Sequence, residues 1–253
     1  ERSRGLGDVY KRQGGECMTI TKAYKVRLYP TKEQQELMIK TFGCTRFVYN
    51  KALHICQETY RTSKRPVFYG ELSRMLTFWK TTTELSFLKA VDKFALQNSL
   101  RDLCQGFTNM KHGAGHPKYK SKHDHHDSYK TQFTNNNIAV DNTYIKLPKL
   151  GHIRYRDKKT PQGKIRNVTI SRTPSGKYYA SVCVETEDVR ELPMTGNQIG
   201  IDLGIKGFCT MSNHEKVENP RFLNKTLQQI QKLQRELSRK SKGSSNWEKN
   251  RIR

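Results

Sequence analysis

The chain has 253 residues, with 47 Lys and Arg against 23 Asp and Glu, so its formal net charge at pH 7 is +24. A cationic surplus of this size favours a polyanionic partner, most commonly nucleic acid. A membrane partner is disfavoured because no apolar run approaches the roughly 20 residues that a spanning helix needs. The six cysteines are scattered without a C-x-x-C pair, which excludes a disulfide framework and a zinc ribbon and predicts free thiols.

Both ends of the chain look artificial. Residues 8–13 resemble the translated mosaic-end adaptor of transposase-made sequencing libraries, so we interpret residues 1–17 as a non-native leader and expect the protein to begin at Met18. Near Arg253 the sequence is basic and helical in pattern, without a terminator. We therefore expect an open reading frame that was cut short.

The first part of the chain predicts a strand followed by helices. Apolar residues alternate with cations over Tyr24–Leu28, as in a half-buried strand. Thr31 and Gln34 then form a capping-box signature for a helix. Gly43 is expected to interrupt that helix, and a second helical pattern covers residues 47–56. This helix-turn-helix pattern is only indicative, because any small helical domain produces such pairs.

Two more helices are predicted, over Phe68–Lys80 and Val91–Met110. In the second, Lys93 and Gln97 are spaced i, i+4 and share a face beside the apolar stripe, where they either contact solvent or touch DNA. The stripe predicts a core-facing surface and consists of Leu96, Leu100, Leu103 and Phe107.

From His112 onward the sequence predicts short strands and turns, which together favour a small barrel. Thr173–Gly176 is expected to be a hairpin turn between the last two strands. The predicted strands are Tyr129–Phe133, Ile138–Val140, Tyr144–Leu147, Ile153–Arg156, Val168–Arg172 and Lys177–Glu185.

Two polar segments in this region are candidate binding sites. Lys118–Lys122 places a tyrosine among lysines, so phosphates can bind the ammonium groups while a base or sugar packs on the ring. A solvated loop is the alternative, and the charge of the chain favours nucleic acid. The histidine-rich segment 123–126 is interpreted as a polar loop, because no second ligand cluster completes a metal site.

Residues 198–205 form a β-branched run between glycines, which predicts a buried strand. A carboxylate in such a strand is costly to desolvate unless it is paired or binds a metal ion. Asp202 is therefore either an ordinary acid at a strand end or a ligand for a divalent ion held against phosphate. Residues 208–212 can pair with this strand. A basic amphipathic helix follows, with its apolar face formed by Leu223, Leu227, Ile230, Leu233 and Leu237.

Five segments, in this order, resemble the OrfB/TnpB family of transposon-encoded RNA-guided DNA endonucleases, and the resemblance runs from Met18 to Arg253. They are Lys25–Pro30, Arg46–Asn50, Val91–Leu100, Tyr129–Asn137 and Lys146–Gly151.

The resemblance implies an α+β multidomain fold. Residues 18–30 and 113–195 would form a small β-barrel of the wedge, OB-like type. A helical, helix-turn-helix-like recognition domain, residues 31–112, would be inserted into it. Residues 196–253 would be the incomplete N-terminal part of an RNase H-like (RuvC) α/β nuclease domain.

In that domain, Asp202 would be the first catalytic carboxylate and a metal ligand. The implied chemistry is phosphodiester hydrolysis with two Mg²⁺ ions about 3.5–4 Å apart. The family's further glutamate and aspartate, and a zinc ribbon between them, would follow residue 253. The later acids of this chain, in loop or basic-helix contexts, do not replace them. We therefore expect Mg²⁺ in the complete site, zinc only in the following part, and no DNA cleavage by this chain alone.

The expected partners are a guide RNA and a target DNA, with no membrane and no small-molecule substrate, in the bacterial cytoplasm and on the nucleoid when DNA is bound. Matched positions expected to read a short DNA motif beside the target are Tyr69, Ser73, Lys93, Gln97, Thr134 and Asn135. Contacts with the nucleic-acid backbone are expected from Lys118, Tyr119, Lys120, Lys122, Lys130, Arg239, Lys240 and Lys242. A non-catalytic DNA- or RNA-binding remnant or regulator of the same family remains the alternative, because it would be equally basic.

Overall fold

A computed structural model describes residues 20–124, 127–156, 160–186 and 195–252. The predicted leader, the start at Met18 and the histidines at 125 and 126 lie outside these ranges. The chain forms two compact units, residues 1–189 and 190–253, which are described separately. None of the described helices is both long enough and apolar enough to cross a membrane.

The first unit is built on seven strands: β1 (Ile20–Tyr29), β2 (Asp127–Gln132), β3 (Ala139–Val140), β4 (Tyr144–Leu147), β5 (Gly151–Arg156), β6 (Lys164–Arg172) and β7 (Tyr178–Thr186). They form one antiparallel sheet in the order β2-β6-β7-β1-β5-β4-β3. The predicted hairpin is confirmed, because β6 and β7 pair across the turn at 173–176. Gly176 adopts a φ of 77° there, a conformation that glycine reaches without steric cost.

The sheet curls, and the connection between its edges gives the reason. The edge strands β2 and β3 are consecutive in the chain and are joined by residues 133–138 alone. Those seven Cα steps reach at most about 25 Å, whereas the edges of a flat seven-stranded sheet lie about 29 Å apart. The small barrel predicted from the sequence is therefore observed as a curled half-barrel. β2 and β3 are not hydrogen-bonded to each other, so both remain edges in the described sheet.

The helices of this unit are α1 (Lys32–Ser63), α2 (Tyr69–Thr81) and α3 (Lys93–Lys111), with a 3-10 helix at Thr83–Ala90. The capping box of Thr31 and Gln34 is confirmed, with both reciprocal hydrogen bonds formed. The interruption expected at Gly43 is wrong, because α1 continues through this exposed residue. A glycine inside a helix costs only about 1 kcal/mol, and packing of the buried residues on either side, including Phe42 and Val48, offsets that cost.

Two apolar clusters hold the first unit together. In one, α1 packs on the inner face of the sheet, and the ring centroids of Phe42 and Tyr129 lie 5.5 Å apart. In the other, α1, α2 and α3 pack on one another. The stripe predicted on α3 is confirmed, with three buried leucines and a half-buried phenylalanine: Leu96, Leu100, Leu103 and Phe107.

The second unit contains β8 (Ile201–Leu203), β9 (Gly207–Met211), β10 (Lys216–Glu218), α4 (Phe222–Ser238) and α5 (Ser245–Ile252). The strand predicted around Asp202 and its pairing with the following segment are confirmed. The expected burial of that strand is wrong, because Ile201 and Leu203 are 58% and 72% exposed. β8 is an edge strand of the three-stranded sheet, whose order is β10-β9-β8. The apolar face of α4 is similarly open, and Leu223 is 70% exposed.

Candidate nucleic-acid interface

A groove of about 540 Å³ opens at the start of α3. Its other walls are the end of α2, the 3-10 helix, the turn between β2 and β3 and the turn between β4 and β5. It contains three of the six residues expected to read DNA, namely Lys93, Thr134 and Asn135. We call this site the α3 groove. Its charged lining is strongly cationic and consists of Lys80, Lys89, Lys93, Lys149 and Asp92.

A tight turn displays the amide side chain of Asn135 in this groove. Asn135 and Asn136 have φ values of 49° and 54°, a conformation that asparagine tolerates better than most residues. The N–H of Asn137 donates to the carbonyl of Thr134 at 3.0 Å, and its Oδ1 accepts from the N–H of Thr134 at 2.7 Å. These bonds fix the turn, so the exposed side chains of Thr134 and Asn135 are free to contact a ligand.

Asp92 adds a buried acceptor to the groove. Its Oδ1 caps α3 by accepting from the N–H of Phe94 at 3.2 Å. Its Oδ2 is buried without a hydrogen-bond partner among the described residues, a state that costs about 1–3 kcal/mol or more. Burial lowers the pKa of the nearby Lys80. The charge of Asp92 raises this pKa, and the charge of Lys93 lowers it. The accessible groups of the groove are therefore its lysines, which can bind phosphate, and the side chains of Thr134 and Asn135.

The other three predicted readers do not line the α3 groove. Tyr69 and Ser73 lie one turn apart on α2 and Gln97 lies on α3, and all three are half-buried. The guanidinium of Arg101 lies 5.3 Å from the centre of the Tyr69 ring, which brings the two helices together at this point. Arg101 was not predicted, although its i, i+4, i+8 spacing with Lys93 and Gln97 places all three on one helix face.

The basic segment at 118–122 packs against α1 instead of forming a free loop. Asn50 holds the backbone of Lys120 with two hydrogen bonds, of 2.8 and 2.9 Å. The hydroxyl of Tyr119 donates to Gln57 at 2.8 Å, while its ring stays 51% exposed. The ammonium of Lys120 lies 4.1 Å from the centre of the Tyr49 ring. Lys118, Lys120 and Lys122 are all exposed. Because the ammonium of Lys120 lies over the Tyr49 ring, Lys118 and Lys122 are the more available cations for phosphate.

A second groove, of about 370 Å³, separates this segment from α3 and β2 and carries both signs of charge. Arg46 and Asp127 form an ion pair of 2.6 Å beside it. Burial raises the pKa of Asp102, and Lys120 and Lys130 lower it. Burial in turn lowers the pKa of Lys120, and Asp102 raises it. Because these cations face carboxylates, this groove is a weaker phosphate site than the α3 groove.

In the second unit, Asp202 lies exposed on β8, paired across the sheet with Thr210. Arg239, Lys240 and Lys242 lie just after α4, in the connection to α5. Arg239 and Lys242 are exposed and Lys240 is half-buried. All three cations can therefore reach a phosphate backbone from one short segment.

The resemblance implies that Asp202 is a magnesium ligand in the complete site. The described residues contain no group of three His, Cys, Asp or Glu side chains that could hold a metal ion. Asp202 alone supplies one exposed carboxylate, whereas a pair of divalent ions requires several. The described residues by themselves do not fit a two-magnesium centre.

Two family models match this chain. One, described as an OrfB "Helix-turn-helix domain", matches residues 18–65, and the other, an OrfB "Probable transposase", matches residues 181–253. Within the first match the structure has β1 and the single long helix α1.

Curated relatives match most of the chain. A protein of Streptomyces pristinaespiralis named "Putative RNA-guided DNA endonuclease" is 36% identical over 92% of this chain. A protein of Escherichia coli (strain K12) named "Putative RNA-guided DNA endonuclease InsQ" is 33% identical, also over 92% of this chain. The chain covers 58% and 57% of their lengths, so it spans little more than half of each. The virulence protein VsdF of Salmonella dublin is 32% identical over 41% of this chain and 96% of its own length.

Proposed function

This chain belongs to the OrfB/TnpB family of transposon-encoded proteins, and from that premise we propose that it is the nucleic-acid-binding part of an RNA-guided DNA endonuclease. It binds a guide RNA and a target DNA in the bacterial cytoplasm. The observation that supports this function best is the α3 groove. There four lysines and a tight asparagine turn converge from segments that span residues 80 to 149 of the sequence.

In this proposal the α3 groove and the adjoining face of α3 read the DNA motif beside the target. Lys93 and Gln97 make directed hydrogen bonds to base edges, and Thr134 and Asn135 bond to bases or backbone. Tyr69 and Ser73 extend the same contact along α2. The basic residues at 118–122, Lys130 and the segment after α4 hold phosphates, which strengthens binding without selecting a sequence.

The second unit is proposed to begin an RNase H-like (RuvC) nuclease domain in which Asp202 is one catalytic carboxylate. The exposed position of Asp202 on an edge strand is compatible with ligands that come from another segment. This chain by itself is proposed to bind nucleic acid without cutting it, because its described acids supply a single carboxylate at that position. A non-catalytic binder or regulator of the same family is the second candidate, and the same exposed Asp202 favours it.

The motif-reading role can be tested by selecting bound DNA duplexes from a pool with a randomised segment and sequencing them. We expect the wild-type chain to enrich a short motif, and Lys93→Ala and Gln97→Ala to relax it, since a good base contact contributes about 1–3 kcal/mol of discrimination. Lys111→Ala, at the far end of the same helix, is the matched control and should leave the motif unchanged. An unaltered motif in both test variants would show that this helix face does not read DNA.

A further inference from the structure

The outward face of the sheet carries a second surface that no sequence motif indicated. In β1, Val26 and Leu28 are buried against the core, while Arg27 and Tyr29 point the other way and are exposed. The same alternation continues in β4, β5 and β7, whose buried residues share the inner face. One side of this four-strand region therefore faces away from the core.

The strand register aligns its outward residues in two rows. Residues paired across antiparallel strands lie on the same face, about 4.5–5.5 Å apart, and successive rows are about 7 Å apart along the strands. The first row reads Tyr144, Arg154 and Tyr29. The second row reads Arg156, Arg27 and Tyr179. We call these six residues the tyrosine platform.

The platform presents aromatic rings and cations together. Tyr29 and Tyr144 are each 45% exposed, and Tyr179 is half-buried. The guanidinium of Arg27 lies 5.1 Å from the centre of the Tyr29 ring, a contact that orients the cation without neutralising it. The two rows thus offer three rings and three arginines, and neither row contains a carboxylate.

This arrangement costs the protein stability in isolation. Arg27 lies directly opposite Arg156 in the register, and like charges in that position repel each other. A bound polyanion removes the repulsion. Exposed rings between cations also suit a ligand that has flat faces as well as negative charge. Unpaired nucleotides have both, whereas a duplex hides its base faces and an acidic peptide lacks flat rings at each position.

We propose that the tyrosine platform binds a single-stranded segment of RNA, with bases stacked on Tyr29, Tyr144 and Tyr179 and phosphates held by the arginines. The inference rests on the proposed function and assigns unpaired nucleotides of its RNA to this face. It is separate from the α3 groove, whose lining shares no residue with the platform.

The test is fluorescence anisotropy of the purified chain with a labelled oligouridine of about 16 nucleotides, the upper end of the site size of such surfaces. We expect Tyr29→Ala and Tyr144→Ala each to weaken Kd by at least about fivefold, the lower end of measured base stacking. Tyr60→Ala is the matched control, because its ring is 57% exposed on α1. It should leave Kd unchanged, and thermal unfolding should show that all three variants are folded.

The salt dependence of binding separates stacking from charge. Arg27→Gln and Arg154→Gln should each lower the slope of log Kd against log salt by about 0.7, the value per phosphate contact with a single strand. The tyrosine variants should keep the wild-type slope, and so should the control Arg61→Gln on α1.

Three results would overturn the inference. If folded platform variants bind the RNA as tightly as the controls, the platform is not its site, while the proposed function stands. If a double-stranded RNA of the same length shows an equal loss with the tyrosine variants, stacking of unpaired bases is refuted. If the wild-type chain binds no RNA at low salt, both the inference and the proposed function fail.

Discussion

Gln34 links a helix end to the sheet through one side chain. Its Oε1 accepts from the N–H of Thr31 at 3.0 Å, which completes the capping box of α1. Its Nε2 donates to the carbonyls of Leu150 and His152, at 3.0 and 2.9 Å. The sequence predicts the first role, because a threonine and a glutamine three residues apart are a local signature. The second role could not be predicted, since its partners lie more than 110 residues away.

Replacing Gln34 tests this double role. Gln34→Ala removes three hydrogen bonds, each with a net worth of about 0.5–1.5 kcal/mol, so we expect the free energy of unfolding to fall by about 2 kcal/mol. Gln35→Ala is the matched control, because Gln35 makes one such bond, from its Nε2 to the carbonyl of Pro30 at 3.0 Å. Urea unfolding of both variants measures the difference, and equal losses would contradict the account.

The elements show where local patterns predict structure and where packing overrides them. The hairpin of β6 and β7 follows from alternation and a turn, both of which are local. The continuity of α1 does not follow from a local pattern, because burial of the residues on both sides of Gly43 outweighs the cost of that glycine. The exposure of β8 was also not predictable. An apolar sequence shows that a strand can be buried, but it does not show whether another layer covers that strand.

The continuity of α1 makes Gly43 a sensitive position. A Cβ added there meets no atom within 4 Å, so Gly43→Ala should raise the free energy of unfolding by about 1 kcal/mol, as expected for an exposed helical glycine. Gly106→Ala in α3 is the comparison. Its new Cβ would lie 3.3 Å from Pro117, so we expect a smaller increase in the free energy of unfolding. If the chain instead turns at Gly43, the alanine would destabilise the protein, and thermal or urea unfolding distinguishes the two outcomes.

At the scale of the whole molecule, net charge predicts the class of partner but not the surface that binds it. Lys93 and Asn135 share the α3 groove only because the β2–β3 turn comes to the start of α3, a tertiary contact that no local pattern encodes. Family resemblance supplied those positions, and the structure adds Lys80, Lys89 and Lys149 around them. The tyrosine platform depends in the same way on strand register, which is fixed by pairing across the sheet.

The central claim is that this chain binds nucleic acid and does not cut it by itself. The most direct measurement is incubation of the purified chain with plasmid DNA and RNA over a range of Mg²⁺ concentrations, with binding and strand breaks followed in the same samples. We predict salt-sensitive binding and intact DNA at every Mg²⁺ concentration, for the wild type and for Asp202→Asn alike. Mg²⁺-dependent breaks that disappear in Asp202→Asn would contradict the claim.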